Sequence, residues 1–239
     1  MSLAKIPLLV ALGAAFRLML TPPHPSPPPS EFVSTTAFDG LITRYRAYPL
    51  AIAKLGQYYL SAVEIATILA NMTPSYELSK FVLSKCVFQG GNPESMHTSL
   101  AAAFGIALLI GGVIFRASTY RHLGRFFRYD VSIQKDHQLI KTGPYALVRH
   151  PSYAGLLVSI IGWFLWTFST GSWVRESGIL NTKFGKVLLA AYIVAGISPS
   201  LLVTLPRMHK EDEALKQKFG KEWEAWAAKV PYSIIPGLY

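Results

Sequence analysis

The chain has 239 residues, of which 51% are hydrophobic and 15% charged, and its mean hydropathy is +0.32; this excludes a disordered, highly polar protein and fits one compact membrane-embedded domain. A formal net charge of +10 raises nucleic acid as a partner, but the basic residues sit beside apolar runs and no nucleic-acid motif is present, so an anionic lipid surface fits them better. The single cysteine, Cys86, excludes an intrachain disulfide and a multi-cysteine zinc site, and reads as a small buried apolar group.

Five apolar segments follow in chain order, at 3–20, 47–72, 99–115, 153–169 and 186–205. Each approaches the ~20 residues that cross a bilayer core. The expected fold class is an all-α integral membrane protein of about five transmembrane helices, with a C-terminal helical hairpin and a cytosolic cofactor-binding region. The first segment, with Lys5 near its start and Arg17 inside it, reads as a retained span, although a signal peptide shares its pattern. The proline-rich stretch 21–30 is an exposed, extended linker. The division expected is 1–115 for the N-terminal spans and 116–239 for a second, chemistry-bearing region.

Residues 116–150 carry Arg116, Arg121, Arg125, Arg128, Lys135, Lys141 and Arg149 against Asp130 and Asp136, so they are placed in the cytosol together with the tail from Arg207 onward. The loop 73–98 and the N-terminus then fall on the other side. The turn of the C-terminal hairpin, with Arg175, Lys183 and Lys186 against Glu176, fits that assignment poorly.

The run Gly143-Pro144-Tyr145-Ala-Leu-Val-Arg149-His150-Pro151-Ser152-Tyr153 stands at the lip of the fourth span. Pro151 is suited to the first position of a helix and biases His150 out of helical geometry. The new helix therefore points its free N–H groups toward Arg149 and His150, a place to hold a carboxylate or phosphate. From 207 to 230, Met208, Leu215, Phe219, Trp223, Trp226 and Val230 recur at steps of mainly three and four, which predicts one amphipathic helix stopping at Pro231. Arg207 and Glu211 fall on its inward stripe and call for partners there. Asp212, Glu213, Lys216, Lys218 and Lys221 read as a solvated face.

His137-Gln138-Leu139-Ile140-Lys-Thr-Gly143-Pro144-Tyr145, then Val148-Arg149-His150-Pro151-Ser152-Tyr153, then Arg207-Met-His-Lys-Glu211 with Leu215 and Phe219-Gly220, resembles the catalytic half of isoprenylcysteine carboxyl methyltransferases, over about residues 116 to 239. Relatives carry tyrosines where Trp223 and Trp226 stand here. The resemblance implies a multi-pass enzyme of the endoplasmic reticulum membrane, its active site facing the cytosol, that moves a methyl group from S-adenosylmethionine to the terminal carboxylate of a prenylated cysteine in CaaX-processed proteins. Transferred by position, it implies that His137, Gln138, Leu139 and Ile140 line the cofactor and Tyr145 contacts it. His150, Pro151, Ser152 and Tyr153 close over it, Glu211 binds it from the C-terminal helix, and Arg207 faces the substrate carboxylate as the catalytic and substrate-binding residue. No metal is implied.

Such an acceptor is already ionised at neutral pH, so the reaction needs orientation and removal of water rather than a strong base. The alternatives are a membrane methyltransferase acting on a phospholipid amine or small isoprenoid, and a sterol-reductase-like oxidoreductase. A greasy acceptor also implies a second, lateral entrance between spans, for which Gly111 and Gly112 are candidate lining residues because of their size.

Overall fold

The computed structural model describes residues 3–26, 28, 31 and 44–238. Of the proline-rich linker, residues 27, 29 and 30 lie outside that set; Thr21, Pro23, Pro25, Ser26 and Pro28 are exposed. Among the described residues the regular elements are helices. They are α1 (Lys5–Leu20), α2 (Ala47–Met72), α3 (Glu77–Cys86), α4 (Leu100–Leu123), α5 (Pro151–Phe168), the short α6 (Trp173–Glu176), α7 (Lys183–Tyr192), α8 (Ser198–Leu202), α9 (Thr204–Phe219) and α10 (Lys221–Lys229).

Three helical stretches, Leu100–Phe126, Pro151–Glu176 and Lys183–Phe219, are long and apolar enough to cross a membrane. The first and second segments also form helices, but α1 has 16 residues and α2 is interrupted by Lys54, Gln57 and Glu64.

The antiparallel pair α4 and α5 forms the centre, and glycines set its separation. A Cβ on Gly105 would lie 2.8 Å from the Gly162 carbonyl, and one on Gly112 would lie 2.7 Å from the Gly155 carbonyl, so two glycine pairs seven residues apart bring the backbones into contact. In lipid, where apolar burial between helices gains little, such close backbone approach is a main source of packing energy. This overturns the lateral-opening expectation for Gly112, which packs against Ser159 of α5, and for Gly111, which meets nothing within 4 Å; neither lines the cavity described below.

Polar side chains tie α1 and α2 to this pair. Lys5 is 1% exposed, lies 2.5 Å from Glu64 of α2 and donates to the Gly171 carbonyl at 2.7 Å. Trp163 of α5 donates to Gln57 at 2.7 Å. A buried ion pair of this kind fixes which faces meet, since removing one partner leaves the other charge uncompensated.

The chain alternates between two ends of the bundle. Loop 73–98 packs on the hairpin turn through Phe88 N to Ser177 O (2.7 Å), Asn92 N to Glu176 O (2.7 Å) and His97 N to Gly171 O (3.2 Å). The N-terminus of α1 lies at that same end. Residues 116–150 and the tail from Arg207 share the other, the relative sidedness read from the charges. Cys86, at the end of α3, is partly exposed rather than buried.

The C-terminal helix differs from the single one expected over 207–230. Helix runs almost unbroken from Lys183 through a π turn at Ile193–Ile197 into α8 and α9. It then breaks at Gly220, whose φ of +51° favours glycine, before α10 begins. The Phe219-Gly220-Lys221 sequence carries the usual helix-ending signal, which the continuing apolar rhythm hid.

Candidate active site

At the end shared by residues 116–150 and 207–230, the helices enclose a cavity of about 460 Å³, within the range of small-molecule sites. Each predicted site residue reaches its wall. His137, Gln138, Leu139 and Ile140 come from the loop, Tyr145 from a 3₁₀ turn, His150 to Tyr153 from the start of α5, and Arg207 and Glu211 from α9.

Gly143 makes the turn that delivers Tyr145. Its φ is +61°, and a Cβ there would stand 2.2 Å from His122 Nε2, so a side chain is excluded both by conformation and by space. The Tyr145 carbonyl accepts from Trp226 Nε1 at 3.2 Å, which closes α10 over this wall. Burial and the neighbouring Glu211 carboxylate push the Tyr145 phenol above its ordinary range, so it is a neutral hydroxyl at physiological pH.

His137 stacks on Phe126 with ring centres 4.6 Å apart and meets Phe219 edge-on at 5.9 Å. Burial and then Lys218 push its pKa down to about 4, so the ring is neutral, and its Nδ1 accepts the Gln134 amide at 3.4 Å.

Glu211 is the centre of the charged cluster. Its Oε1 accepts from the Tyr153 hydroxyl at 2.7 Å and from Arg207 Nε at 3.2 Å, and its Oε2 lies 3.5 Å from His150 Nδ1. Burial disfavours a charged His150, yet Asp212 and Glu211 together outweigh it and raise the pKa to about 9. His150 Nε2 stands 3.1 Å from Asp212 Oδ1, but the alignment is too poor for a hydrogen bond and both atoms are otherwise unpartnered. The contact is therefore electrostatic.

Two expectations are corrected here. Asp212 is not on the solvated face: it pairs with Arg149 at 3.2 Å and faces His150. Helical spacing put it one step from Glu211, and only the fold brings Arg149 to it. Nor does the start of α5 offer an open anion site. Arg149 is spent on Asp212, the Val230 and Pro231 carbonyls and Ser233, while the Tyr153 and Ala154 amides bond the His150 carbonyl.

Sequence reasoning missed Arg116, Arg128 and Asp130 on the same wall. Arg116, counted only as a topology-setting charge, donates to Ser152 O and Oγ at 2.8 and 2.6 Å, to Met19 O at 3.3 Å and to Tyr129 at 3.2 Å. It joins α1 to the first turn of α5 and so holds Ser152 on the cavity. Asp130 pairs with Arg46 at the start of α2. A cation directly after the 99–115 apolar segment, inside the same helix, was the available signal for Arg116.

A family model described as phospholipid methyltransferase matches residues 100–175. The chain is 26% identical over 220 residues to protein-S-isoprenylcysteine O-methyltransferase B of Arabidopsis thaliana, covering 86% of this chain and 98% of the relative. It is 27% identical over 147 residues to protein-S-isoprenylcysteine O-methyltransferase of Homo sapiens, covering 59% and 44% respectively. A Delta(14)-sterol reductase of Mus musculus is 26% identical over 157 residues, but these are 62% of this chain and 33% of the reductase. No solved structure matches. The chain thus resembles the isoprenylcysteine methyltransferases over most of its length, as its motifs implied.

Proposed function

We propose that the protein transfers a methyl group from S-adenosylmethionine to the C-terminal carboxylate of prenylated cysteine in CaaX-processed proteins, forming a methyl ester. The observation that carries this reading is the Glu211 cluster, which places an arginine, Arg207, beside a half-buried carboxylate on the wall of one cavity. The relatives named above supply the reaction class.

The wall fits a donor of this kind. Arg128, Asp130 and Ser132 line the cavity and bring a mixture of hydrogen-bond donor and acceptor residues suited to a polar ligand. Loop residues His137 to Ile140 and the start of α5 would hold the donor, with neutral His137 presenting no charge to a sulfonium. When bound, S-adenosylmethionine would supply an electrophilic methyl carbon. Everything else falls to the protein: Arg207 orients the acceptor carboxylate through its planar guanidinium, and α10 with Trp226 excludes water.

Electrostatics favours an anionic acceptor over a phospholipid amine. Among the described residues the wall carries Arg46, Arg116, Arg128, Arg149, Arg207 and protonated His150 against Asp130 and Glu211, with Asp212 just behind. That excess of cations repels an ammonium precursor and attracts a carboxylate. A reductase is disfavoured because the reductase match covers 62% of this chain, against 86% for the Arabidopsis thaliana methyltransferase.

In this reading α1 and α2 complete five crossings of the endoplasmic reticulum membrane, and the cavity faces the cytosol. Residues 1–115 form the membrane scaffold and 116–239 the catalytic region. The test is acceptor choice in membranes containing the protein: radiolabelled donor should mark N-acetyl-S-farnesylcysteine and leave phosphatidylethanolamine unlabelled. The reverse pattern would replace this reading with lipid N-methylation.

A further inference from the structure

After Lys229 the chain changes character. Residues 204–229 are rich in charged side chains, whereas 230–238 carry none and include Tyr232, Ile234, Ile235 and Leu238. This tail is fastened to the two residues that precede α5. The Arg149 guanidinium donates to the Val230 and Pro231 carbonyls at 3.1 and 2.6 Å and to Ser233 Oγ at 2.8 Å. The Arg149 and His150 amides donate to the Tyr232 and Ser233 carbonyls at 2.9 and 2.8 Å. Because Arg149 pairs with Tyr232 and His150 with Ser233, the tail advances in the same sense as the start of α5, toward the apolar span.

A turn follows. Leu238 N–H donates to the Ile235 carbonyl at 3.1 Å, with Pro236 second and Gly237, at φ +82°, third, the sequence pattern of a type II turn. Such a turn brings its first and fourth residues close together, and here both are aliphatic: Ile235 is 46% exposed and Leu238 78%. Ser233 and Ile234, by contrast, are buried against the protein. The tail therefore has an inner face already packed and an outer face that is apolar and open. In water those two side chains leave apolar surface hydrated; beside the start of a spanning helix they lie within reach of acyl chains. The outward face of α5 continues the same surface, since Val158 and Ile161 are exposed and apolar.

We propose that the 235–238 turn is a membrane anchor. Ile235 and Leu238 enter the boundary between headgroups and acyl chains in the leaflet next to the cavity, and the half-buried ring of Tyr232 stands at headgroup level. Lipid is the occupant because the bonds to Arg149 and His150 fix the turn at the mouth of a span, and no charged side chain in 230–238 opposes entry into an apolar layer. The anchor ties α10, whose Trp226 closes the cavity, to the bilayer through the tail that follows it. It does not depend on which reaction the cavity performs.

The test is fluorescence quenching in the full-length protein reconstituted in phosphatidylcholine nanodiscs, where both faces are open to solvent. In a Cys86→Ser background, Ile235→Cys and Leu238→Cys each carry an NBD fluorophore, and Gln217→Cys on the exposed face of α9 carries the same label for comparison. At both corners of the turn, lipid bearing a nitroxide on its acyl chain should quench about threefold more than at residue 217, and aqueous iodide about threefold less. Iodide quenching at 235 and 238 equal to that at 217 puts the turn in water and overturns the anchor. Protection from both quenchers overturns it as well, because the turn is then covered by protein, whether a second copy or another chain. Acyl-chain quenching at only one corner overturns the paired insertion.

Discussion

Tyr153, in the first turn of α5, donates its hydroxyl to Glu211 Oε1 of α9 at 2.7 Å, across 58 positions of sequence. The bond closes the cavity on one side and turns Glu211 toward His150 and Arg207. Two helices that share no direct sequence neighbourhood are thereby held in register by one carboxylate.

Glu211→Ala should therefore weaken S-adenosylhomocysteine binding by roughly ten- to hundredfold, the range for losing hydrogen bonds to a charged group. Glu213→Ala, two positions on and exposed, should leave it within twofold. The check is titration of both variants beside their expression and thermal melts. Equal losses from the two would mean that α9 itself had been damaged.

For Arg207 the expected split lies in the acceptor. Arg207→Ala should raise the KM for N-acetyl-S-farnesylcysteine tenfold or more, with donor affinity changing far less. Arg207→Lys should recover only part, because an ammonium lacks the planar fork that meets both carboxylate oxygens. Full recovery with lysine reduces the role to unspecific charge, and an unchanged KM with alanine removes Arg207 from the acceptor site.

His150 makes stability depend on pH in a definite direction. Its folded pKa, about 9, exceeds the ordinary histidine value of 6.5, so folding favours the charged ring. The contribution is complete below about pH 6.5 and is lost as pH rises through 9, a change on the order of 1–3 kcal/mol. Thermal melts from pH 6.5 to 9.5 should fall more steeply for wild type than for His150→Gln. Identical slopes would show that His150 is not the group responsible.

The glycine contact of α4 and α5 separates two neighbouring positions. Gly112→Leu drives a side chain into Ser159 Oγ at 2.4 Å and the Gly155 carbonyl at 2.7 Å, and overpacking of this kind costs about 1–3 kcal/mol or more. Gly111→Leu enters open space. The first should lower expression and melting temperature, and the second should change neither; equal effects would contradict the packing described here.

How much of this was legible in the sequence follows from the range of each signal. The helices came from apolar run length, the helix start at Pro151 and the inward placing of Arg207 and Glu211 came from local rules of turn and helical spacing, and the His137-to-Ile140 wall was implied only by the family resemblance. Asp212 was not legible as a site neighbour, because its partners Arg149 and His150 are more than 60 positions away and the helical pattern alone marks it as solvated. Lys5 looked like a flanking charge for the same reason: its partner Glu64 lies in another helix. Arg128 and Asp130 read as cytosolic charges, since nothing local says that a non-helical segment will be folded against a cavity.

The central claim is that one cavity unites a methyl donor with a prenylcysteine carboxylate. Its most direct test is the chemistry of the product formed from radiolabelled S-adenosylmethionine and N-acetyl-S-farnesylcysteine in membranes carrying the protein. The account predicts label that mild alkali releases as methanol, as an ester requires, formed by wild type and lost in Glu211→Ala. Alkali-stable label, or ester formation undiminished in Glu211→Ala, would contradict it.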